Sequence, residues 1–464
     1  MTNWQPNLEG RSGPRYAAIA DALAAEVAAG RFKPGERLPT HRDLAWRLGV
    51  TVGTVSRAYA EAERRGLVSG EVGRGTYVRG PQRPESYFVH DRRDTDPAAI
   101  DLGVAIPPPG ASDGFLGPTL EALAKDPQAA ALLGYQPAAG KLEHRAAGAE
   151  WLARRGFEVA PERVIVTNGG NHGIAVALAA TTRPGDRVLI ERLSYAVIHP
   201  IARMLGLRLE GIAMDQHGVR PEAVEAACRT SDARALYCIP TLQNPTTAVM
   251  PERRRRAIAE VAERHDLVVL EDDIFALLAE SPPSPIARFA PERTYYITSL
   301  SKTLAPGLRV GYVAGPAGAV ENLAGAVRAT CMMASPIPAE IASRWILDGT
   351  AERILEANRR ELDRRRKCAL EILGAWQLDC PPGSPFAWLH LPEPWRAVDF
   401  ATAAKRRGVV VAPAEAFAVG RGEVPHGVRI GLGPPRDRGR LEQALQRLAD
   451  LLRDGPDESF GAIV

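Results

Sequence analysis

The sequence predicts two domains of different class, a small α+β head followed by a large α/β body. Three observations carry the prediction. Helical spacing fills the stretch from Tyr16 to Gly66 and then yields to short alternating strands around Thr76–Val78. From about Asp113 onward, helical patterns alternate with short, almost purely apolar runs. Between them, residues 80–112 are rich in proline and charge and keep no sustained period. A chain of 464 residues is also too long for one ordinary domain and long enough to bury a large core.

Composition sets the outer bounds. Apolar residues at 45% and charged residues at 24% are those of a globular protein. The net charge of +3 is unevenly placed: residues 1–80 hold 12 Lys/Arg against 8 Asp/Glu, a surplus of +4, which leaves −1 for the rest. A basic head on a neutral body suits a nucleic-acid contact in the head, although a surplus of that size is also ordinary surface charge. Cys228, Cys238, Cys331, Cys368 and Cys380 show no CxxC or other metal-binding spacing. No metal site is expected, and an odd, unpatterned set of cysteines fits a reducing compartment. With no signal-peptide core and no run of membrane-spanning length, the expectation is a cytoplasmic protein with no membrane partner.

In the head, Tyr16, Ile19, Leu23 and Val27 recur at three and four residues and make one face of a first helix, ended by Gly30 and a Lys33-Pro34-Gly35 turn. Thr40 is placed to cap a second helix, with Asp43 in its first turn, Leu44, Ala45 and Leu48 as its buried stripe, and Gly49 as its stop. Thr51 is placed to cap a third, with Val55, Tyr59 and Ala62 inward and Gly66 at its end. Leu67-Val68 and Thr76-Tyr77-Val78 read as two strands about the turn Val72-Gly73-Arg74-Gly75. This is the layout of a winged helix-turn-helix, which can lay its third helix in the major groove and its wing along the backbone. Spacing alone leaves open a helical bundle that binds no DNA. The runs PGERLPTHRDLA, GVTVGTVSRAY and GRGTYV resemble the DNA-binding domain of the GntR family across its whole length. The resemblance implies contacts with double-stranded operator DNA from Arg42, from Thr51, Thr54, Ser56 and Arg57 on the third helix, and from Gly73, Arg74 and Gly75 on the wing. Hydroxyls at a helix start can meet phosphate, and an arginine can fork onto a guanine edge. Val52 and Gly53 depart from the polar or basic residues frequent at those positions, so base reading by this helix is expected to be thin.

The head is assigned to residues 12–80, a linker to 81–99 and the body to 100–464, which begins with an extended arm at Ile100–Pro109. VIVT (164–167), VLIE (188–191), ALYCIP (235–240), LVVLEDD (267–273) and YYITSL (295–300) read as strands separated by helices, hence a mostly parallel sheet covered on both faces. Ligands of such sheets bind at the carboxyl ends of strands, where the polar motifs of this chain fall.

Those motifs can carry chemistry. Lys302 stands in Ser299-Leu300-Ser301-Lys302, where two hydroxyls and Arg309, seven residues on, can hold a phosphate beside an amine able to form an imine. The turn Val166–Gly173 follows a strand and opens a helix whose N–H groups attract phosphate, or it is only a turn. Asn244 can donate its amide to a phenolate oxygen, or it makes an Asx turn before Pro245. In Glu271-Asp272-Asp273 a buried carboxylate can pair with a pyridinium nitrogen, or the cluster caps a helix.

In this order the motifs resemble the fold-type I pyridoxal-phosphate enzymes of the class I/II aminotransferase kind, over roughly residues 100–455. The resemblance implies pyridoxal 5′-phosphate as cofactor, Lys302 as its Schiff-base lysine, Asp272 as the pyridinium partner and Asn244 as the phenolate partner. It implies a phosphate cradle of Gly170, Asn171 and His172 with Ser299, Ser301 and Arg309. Tyr195 would stack on the ring, Tyr135 would reach the phosphate of a partner subunit in a homodimer, and Arg429 of GVRIG would clamp a substrate or effector carboxylate. Phe275 departs: relatives carry a tyrosine there whose hydroxyl binds the phenolate. Its loss should raise the imine pKa, and it bears on efficient transamination more than on cofactor binding.

A GntR-like head joined to an aminotransferase-like body resembles the MocR subfamily of bacterial regulators over nearly the whole chain. The resemblance implies a homodimeric, DNA-binding transcriptional regulator of the bacterial cytoplasm, on the nucleoid when bound, that senses an amino acid or related amine through aldimine exchange at Lys302. Two alternatives stand beside it: an active aminotransferase carrying a GntR-like head, and a regulator that senses pyridoxal phosphate itself.

Overall fold

In the computed structural model the chain forms two units, Met1–Arg83 and Pro84–Val464. The residues described are 4–6, 8, 14–28, 31–32, 36–64, 67–71, 75–78, 99–420 and 424–456.

The first unit packs three helices, α1 (Arg15–Ala28), α2 (His41–Leu48) and α3 (Val52–Arg64), against an antiparallel hairpin of β1 (Val68–Glu71) and β2 (Gly75–Val78). Both expected caps form. Thr40 Oγ1 accepts from Asp43 N at 3.2 Å, and Thr51 Oγ1 accepts from Thr54 N at 3.2 Å. Gly49 ends α2 in the left-handed region at φ 58°, where a side chain would be strained. Ile19, Leu23, Leu44, Ala45, Val55, Tyr59 and Ala62 are buried together, while Tyr16, Val27 and Leu48 sit half-buried at the edge of that core. The Tyr59 hydroxyl donates to Pro39 O at 2.9 Å and ties α3 to the start of α2. Gly30, the 33–35 turn, Gly66, the wing tip with Gly73 and Arg74, and residues 81–98 of the linker lie outside the described residues.

The second unit runs β3 (Ile100–Asp101), α4 (Leu116–Ala124), α5 (Leu142–Ala153), β4 (Val164–Thr167), α6 (Gly170–Thr181), β5 (Arg187–Glu191), α7 (Ile198–Met204), β6 (Arg208–Ile212), β7 (Met214–Asp215), β8 (Gly218–Val219), α8 (Pro221–Thr230), β9 (Ala233–Cys238), α9 (Glu252–Arg264), β10 (Val268–Asp272), β11 (Thr294–Ser299), β12 (Gly311–Ala314), α10 (Val320–Cys331), α11 (Pro336–Leu347) and α12 (Thr350–Leu373). It continues through β13 (Leu378–Asp379), β14 (Phe386–His390), α13 (Ala397–Arg406), β15 (Val409–Val410), β16 (Ala412–Pro413), β17 (Gly427–Gly431) and α14 (Arg438–Asp454). Among the described residues, seven strands form one sheet in the order β4-β12-β11-β10-β9-β5-β6. All are parallel except β12, which is antiparallel to both neighbours. The five strands expected from the sequence are all members. Alternate residues face opposite layers: Ile190, Leu270 and Ile297 pack under α6 and α10, whereas Leu189, Leu236 and Val269 pack under α8 and α9.

A second, antiparallel sheet of order β13-β14-β17-β16 packs with α13 and α14 around Trp388, Phe400, Leu441, Leu445 and Leu448. Its strands are two to five residues long, too short for a periodic signal in the sequence. The arm belongs with this sheet: β3 pairs in parallel with β15, and Gly431 N donates to Leu102 O at 2.7 Å. Gly431 and Gly433 leave no room for a Cβ against the carbonyls of Val104 and Ile106. Among the described residues no helix is long and apolar enough to cross a membrane, and no metal-holding cluster of His, Cys, Asp or Glu occurs.

Candidate functional site

Strands β4, β9, β10 and β11 all end at one rim of the large sheet, and each delivers a polar residue there. Asn168 follows β4, Asn244 follows β9, Asp272 closes β10 and Ser299 closes β11. The three consecutive acids at the end of β10 have three separate fates. Glu271 accepts from Ile286 N and Ala287 N, each at 2.8 Å, and faces Arg255 at 3.8 Å. Asp273 is ion-paired with Arg155 at 2.9 Å and accepts from the Tyr296 hydroxyl at 2.9 Å. Burial opposes ionisation of Asp273, but Arg155 and Arg255 hold its carboxyl below the usual range. Asp272, one step between them, points to the opposite face, where the Tyr237 hydroxyl donates to its Oδ2 at 2.5 Å. Its Oδ1 is buried with no hydrogen-bond partner. Burial pushes its carboxyl up to about 6, against the opposing pull of the Tyr237 bond and of the Ile274 backbone N–H.

Helix α6 starts beside it. Gly169 (φ 82°) precedes the helix, and no side chain caps the first N–H groups at Gly170, Asn171 and His172. Ser299 and Ser301 stand at this helix start with their hydroxyls 3.2 Å apart, Ser299 beside Gly170. Arg309, held in the left-handed region at φ 51°, donates to Ser301 Oγ at 3.1 Å. A Cβ on Gly169 would lie 2.6 Å from Arg309 Nη2, so this glycine keeps the guanidinium at the helix mouth. Helix N-terminus, two hydroxyls and an arginine together make an anion cradle. The His172 ring is spent elsewhere: Nδ1 accepts from Asn168 N at 3.0 Å and Nε2 meets Thr330 Oγ1 at 2.8 Å. What His172 can offer an anion is its backbone N–H.

Lys302 Nζ donates to Ala105 O of the arm at 2.5 Å. Burial, then Arg429 and Arg309, lower its ammonium to about 8, with Asp272 pulling the other way. Arg429, buried on β17, donates from Nη1 to Asn244 Oδ1 at 2.7 Å and from Nη2 to Gly103 O at 2.5 Å. Its guanidinium lies 4.8 Å from the Phe417 ring and 5.6 Å from the Phe386 ring. Burial brings it down to about 10, still a cation at neutral pH. The Tyr195 hydroxyl donates to Asn171 Oδ1 at 3.1 Å, so Tyr195 adjoins the helix mouth. Phe275 is 1% exposed and packs edge-on against Phe386 at 5.3 Å. Tyr135, by contrast, is 85% exposed.

The sequence reading missed Tyr237, Gly103, Ala105, Phe386 and Phe417. Tyr237 could have been found from strand parity, since it lies on β9 opposite Leu270 and so shares a face with Asp272. The arm carbonyls carry no side-chain signal at all.

In the first unit, Val52, Gly53, Ser56, Arg57 and Ala60 form the exposed stripe of α3, with Thr51 and Arg42 also exposed. Thr54 is half-buried, and its hydroxyl meets that of Thr51 at 2.9 Å. Gly75 opens β2 at φ 124°, against the Arg37 side chain. The stripe is short of long polar side chains, as the sequence led us to expect.

The chain matches the family described as aminotransferase class I and II over residues 100–448, and bacterial regulatory proteins, gntR family, over residues 15–78. It is 32% identical over 452 residues to YdeF, an HTH-type transcriptional regulator of Bacillus subtilis strain 168, covering 97% of each chain. It is 29% identical over 421 residues to PtsJ of Salmonella typhimurium strain LT2, a vitamin B6 salvage pathway transcriptional repressor, covering 90% of this chain and 94% of that one. Its fold is similar to Pyrococcus horikoshii kynurenine aminotransferase solved in complex with PMP, with a TM-score of 0.70 and 25% identity over 77% of this chain and 91% of that one.

Proposed function

The chain belongs to the class I and II aminotransferase family and carries a gntR-family domain, the MocR arrangement; from this we propose that it is a pyridoxal-phosphate-dependent transcriptional regulator whose DNA binding responds to an acidic amine held at Lys302 and Arg429. The observation that carries the reading is the completeness of one rim: Lys302, Asp272, the Asn244–Arg429 pair and the anion cradle lie together, in a chain with a capped recognition helix.

Pyridoxal phosphate is the family's cofactor, and the residues fit it, as the unspent buried Oδ1 of Asp272 attests. Bound there, it supplies an aldehyde carbon that a primary amine can attack and a ring that draws electrons. The chain does the rest. Lys302 offers an amine whose free-base fraction is raised by burial between two arginines. Asp272 offers Oδ1 to the ring nitrogen. Asn244 has spent its carbonyl on Arg429, so its amide is the end left for the phenolate. The N–H groups of Gly170, Asn171 and His172 hold the phosphate with Ser299, Ser301 and Arg309. Tyr195 would stack on the ring, and the exposed Tyr135 would reach the phosphate of a partner in a homodimer. Arg429 receives the carboxylate of the effector. In the head, Arg42, Thr51, Thr54, Ser56, Arg57 and the wing residues Gly73, Arg74 and Gly75 meet operator DNA. An effector that binds the DNA-competent and DNA-free arrangements unequally shifts their populations. Phe275 brings no hydroxyl to the phenolate, which favours sensing over rapid turnover.

The test follows the visible absorbance of the holo protein and its retention of operator DNA together, during titration with amino acids, amines and sulfonate analogues. A compound that shifts the spectrum should shift DNA affinity; spectral shifts without any change in DNA affinity would defeat the proposal. Lys302→Ala should abolish the visible band. A second reading, in which the cofactor itself is the signal, is favoured by the relative named for vitamin B6 salvage. It expects apo and holo forms to differ in DNA affinity with no amine present.

A further inference from the structure

We propose that Tyr237 is a positioning residue for the cofactor: its hydroxyl, bonded to Asp272 Oδ2, fixes the carboxylate so that Oδ1 alone faces the pyridine nitrogen. The proposal rests on the reading of this rim as the pyridoxal-phosphate pocket.

A carboxylate at the end of a strand can rotate and present either oxygen. Here one oxygen is taken. Strands β9 and β10 are parallel with Tyr237 opposite Leu270, so Tyr237 and Asp272 share a face of the sheet and the long phenol spans the two-residue offset. The contact of 2.5 Å is in the range of a charge-assisted O–H···O⁻ bond. Both side chains are 0% exposed, so water does not compete. An ionised carboxylate only accepts, which makes Tyr237 the donor. Burial first, then Asp272 and Glu191, hold the phenol well above its ordinary value, so it keeps its proton across the working range. Glu191 does not compete for that proton, because its two oxygens accept from Ile239 N at 2.8 Å and Ser194 Oγ at 2.9 Å. The result is a directed carboxylate: Oδ2 satisfied within the sheet, Oδ1 buried and unspent.

The simpler role for Tyr237 is packing, since its ring lies among Ile190, Leu270 and Ile297. Phenylalanine would serve that role equally well. Tyr237→Phe, Asp272→Asn and the double variant are therefore compared with the wild-type full-length chain, each stripped of cofactor and titrated with pyridoxal phosphate by absorbance. Loss of a hydrogen bond to a charged group should weaken cofactor uptake by Tyr237→Phe about tenfold or more. It should also raise the pH midpoint of the visible band, because a more basic Asp272 draws the proton from the ring nitrogen. The double variant should bind no worse than Asp272→Asn alone, as Tyr237 acts only through Asp272. Wild-type-like uptake with an unmoved midpoint in Tyr237→Phe would overturn the proposal, as would additive losses in the double variant. If the wild-type chain itself takes up no pyridoxal phosphate, the pocket reading falls and the proposal with it.

Discussion

Arg429 Nη1 donates to Asn244 Oδ1 at 2.7 Å, a single bond between residues 185 apart that joins the loop after β9 to strand β17 of the smaller sheet. It gives the asparagine an orientation and the arginine a fixed plane. Arg429→Lys would keep the charge but lose the planar fork that matches a carboxylate. Affinity for an acidic effector should fall about tenfold to a hundredfold, about 1.4–3 kcal/mol. Affinity for the matching decarboxylated amine should change little. Spectral titration with the pair checks this, and equal losses for both would remove Arg429 from carboxylate binding.

Lys302 predicts a pH profile. Only the free-base amine attacks the cofactor's aldehyde, and burial beside Arg429 and Arg309 brings Lys302 to about 8. The sign follows: below that value each unit of acid removes about nine-tenths of the reactive form. The rate at which the apo chain captures pyridoxal phosphate should climb with pH to about 8 and then level. A rate still climbing above pH 10 would mean an ordinary, solvated lysine.

Gly169 and Gly170 should respond differently to alanine. At Gly169 the backbone lies at φ 82°, ψ 175°, and a Cβ would strike Arg309. Gly169→Ala should cost about 1–3 kcal/mol in urea unfolding and weaken cofactor uptake. Gly170 is helical, and an added Cβ would meet Ser299 Cβ at 3.4 Å and Ile274 Cγ2 at 3.5 Å, ordinary contact. Gly170→Ala should unfold within about 0.5 kcal/mol of wild type.

Phe275→Tyr adds one oxygen beside Phe386. If position 275 borders the ring phenolate, the new donor should lower the pH midpoint of the visible band. A hydroxyl that finds no partner there would instead cost about 1–3 kcal/mol of stability and leave the midpoint unmoved. Absorbance and denaturant titrations on the same variant separate the two outcomes.

The head supplies a prediction in salt. Arg42 is exposed near the start of α2, suited to a phosphate. Arg42→Ala should weaken binding to all DNA sequences and reduce the slope of log affinity against log salt by about 1. Thr51→Ala should cost about 1 kcal/mol of head stability by removing the cap at Thr54 N. A loss confined to one operator sequence would make Arg42 a base reader.

Much of this protein was written locally. The caps at Thr40 and Thr51, the five apolar strands and the polar residues at the ends of four of them depend on neighbours within a few positions. They form where their residue types said they would. Which of three adjacent acids faces the rim is also local in origin, since a strand turns alternate side chains to opposite faces. Resemblance picked Asp272, and the parity of β10 supplies the reason.

Other features were decided only in three dimensions. Phe275 follows the acids in sequence, yet its surroundings are set by Phe386, more than a hundred residues later. His172 stands in the turn that resembles a phosphate site, but Thr330 and Asn168 take its ring. Gly103 and Ala105 act through carbonyls that every residue has, so no residue type announces them. The sequence by itself determined the two domains, the order of the motifs and the chemistry each could offer. The tertiary structure decided which groups meet, because the partners of Asn244 and Asp272 come from other strands and that of Lys302 from the arm. Only the register and crossovers of the sheets bring those strands to one rim.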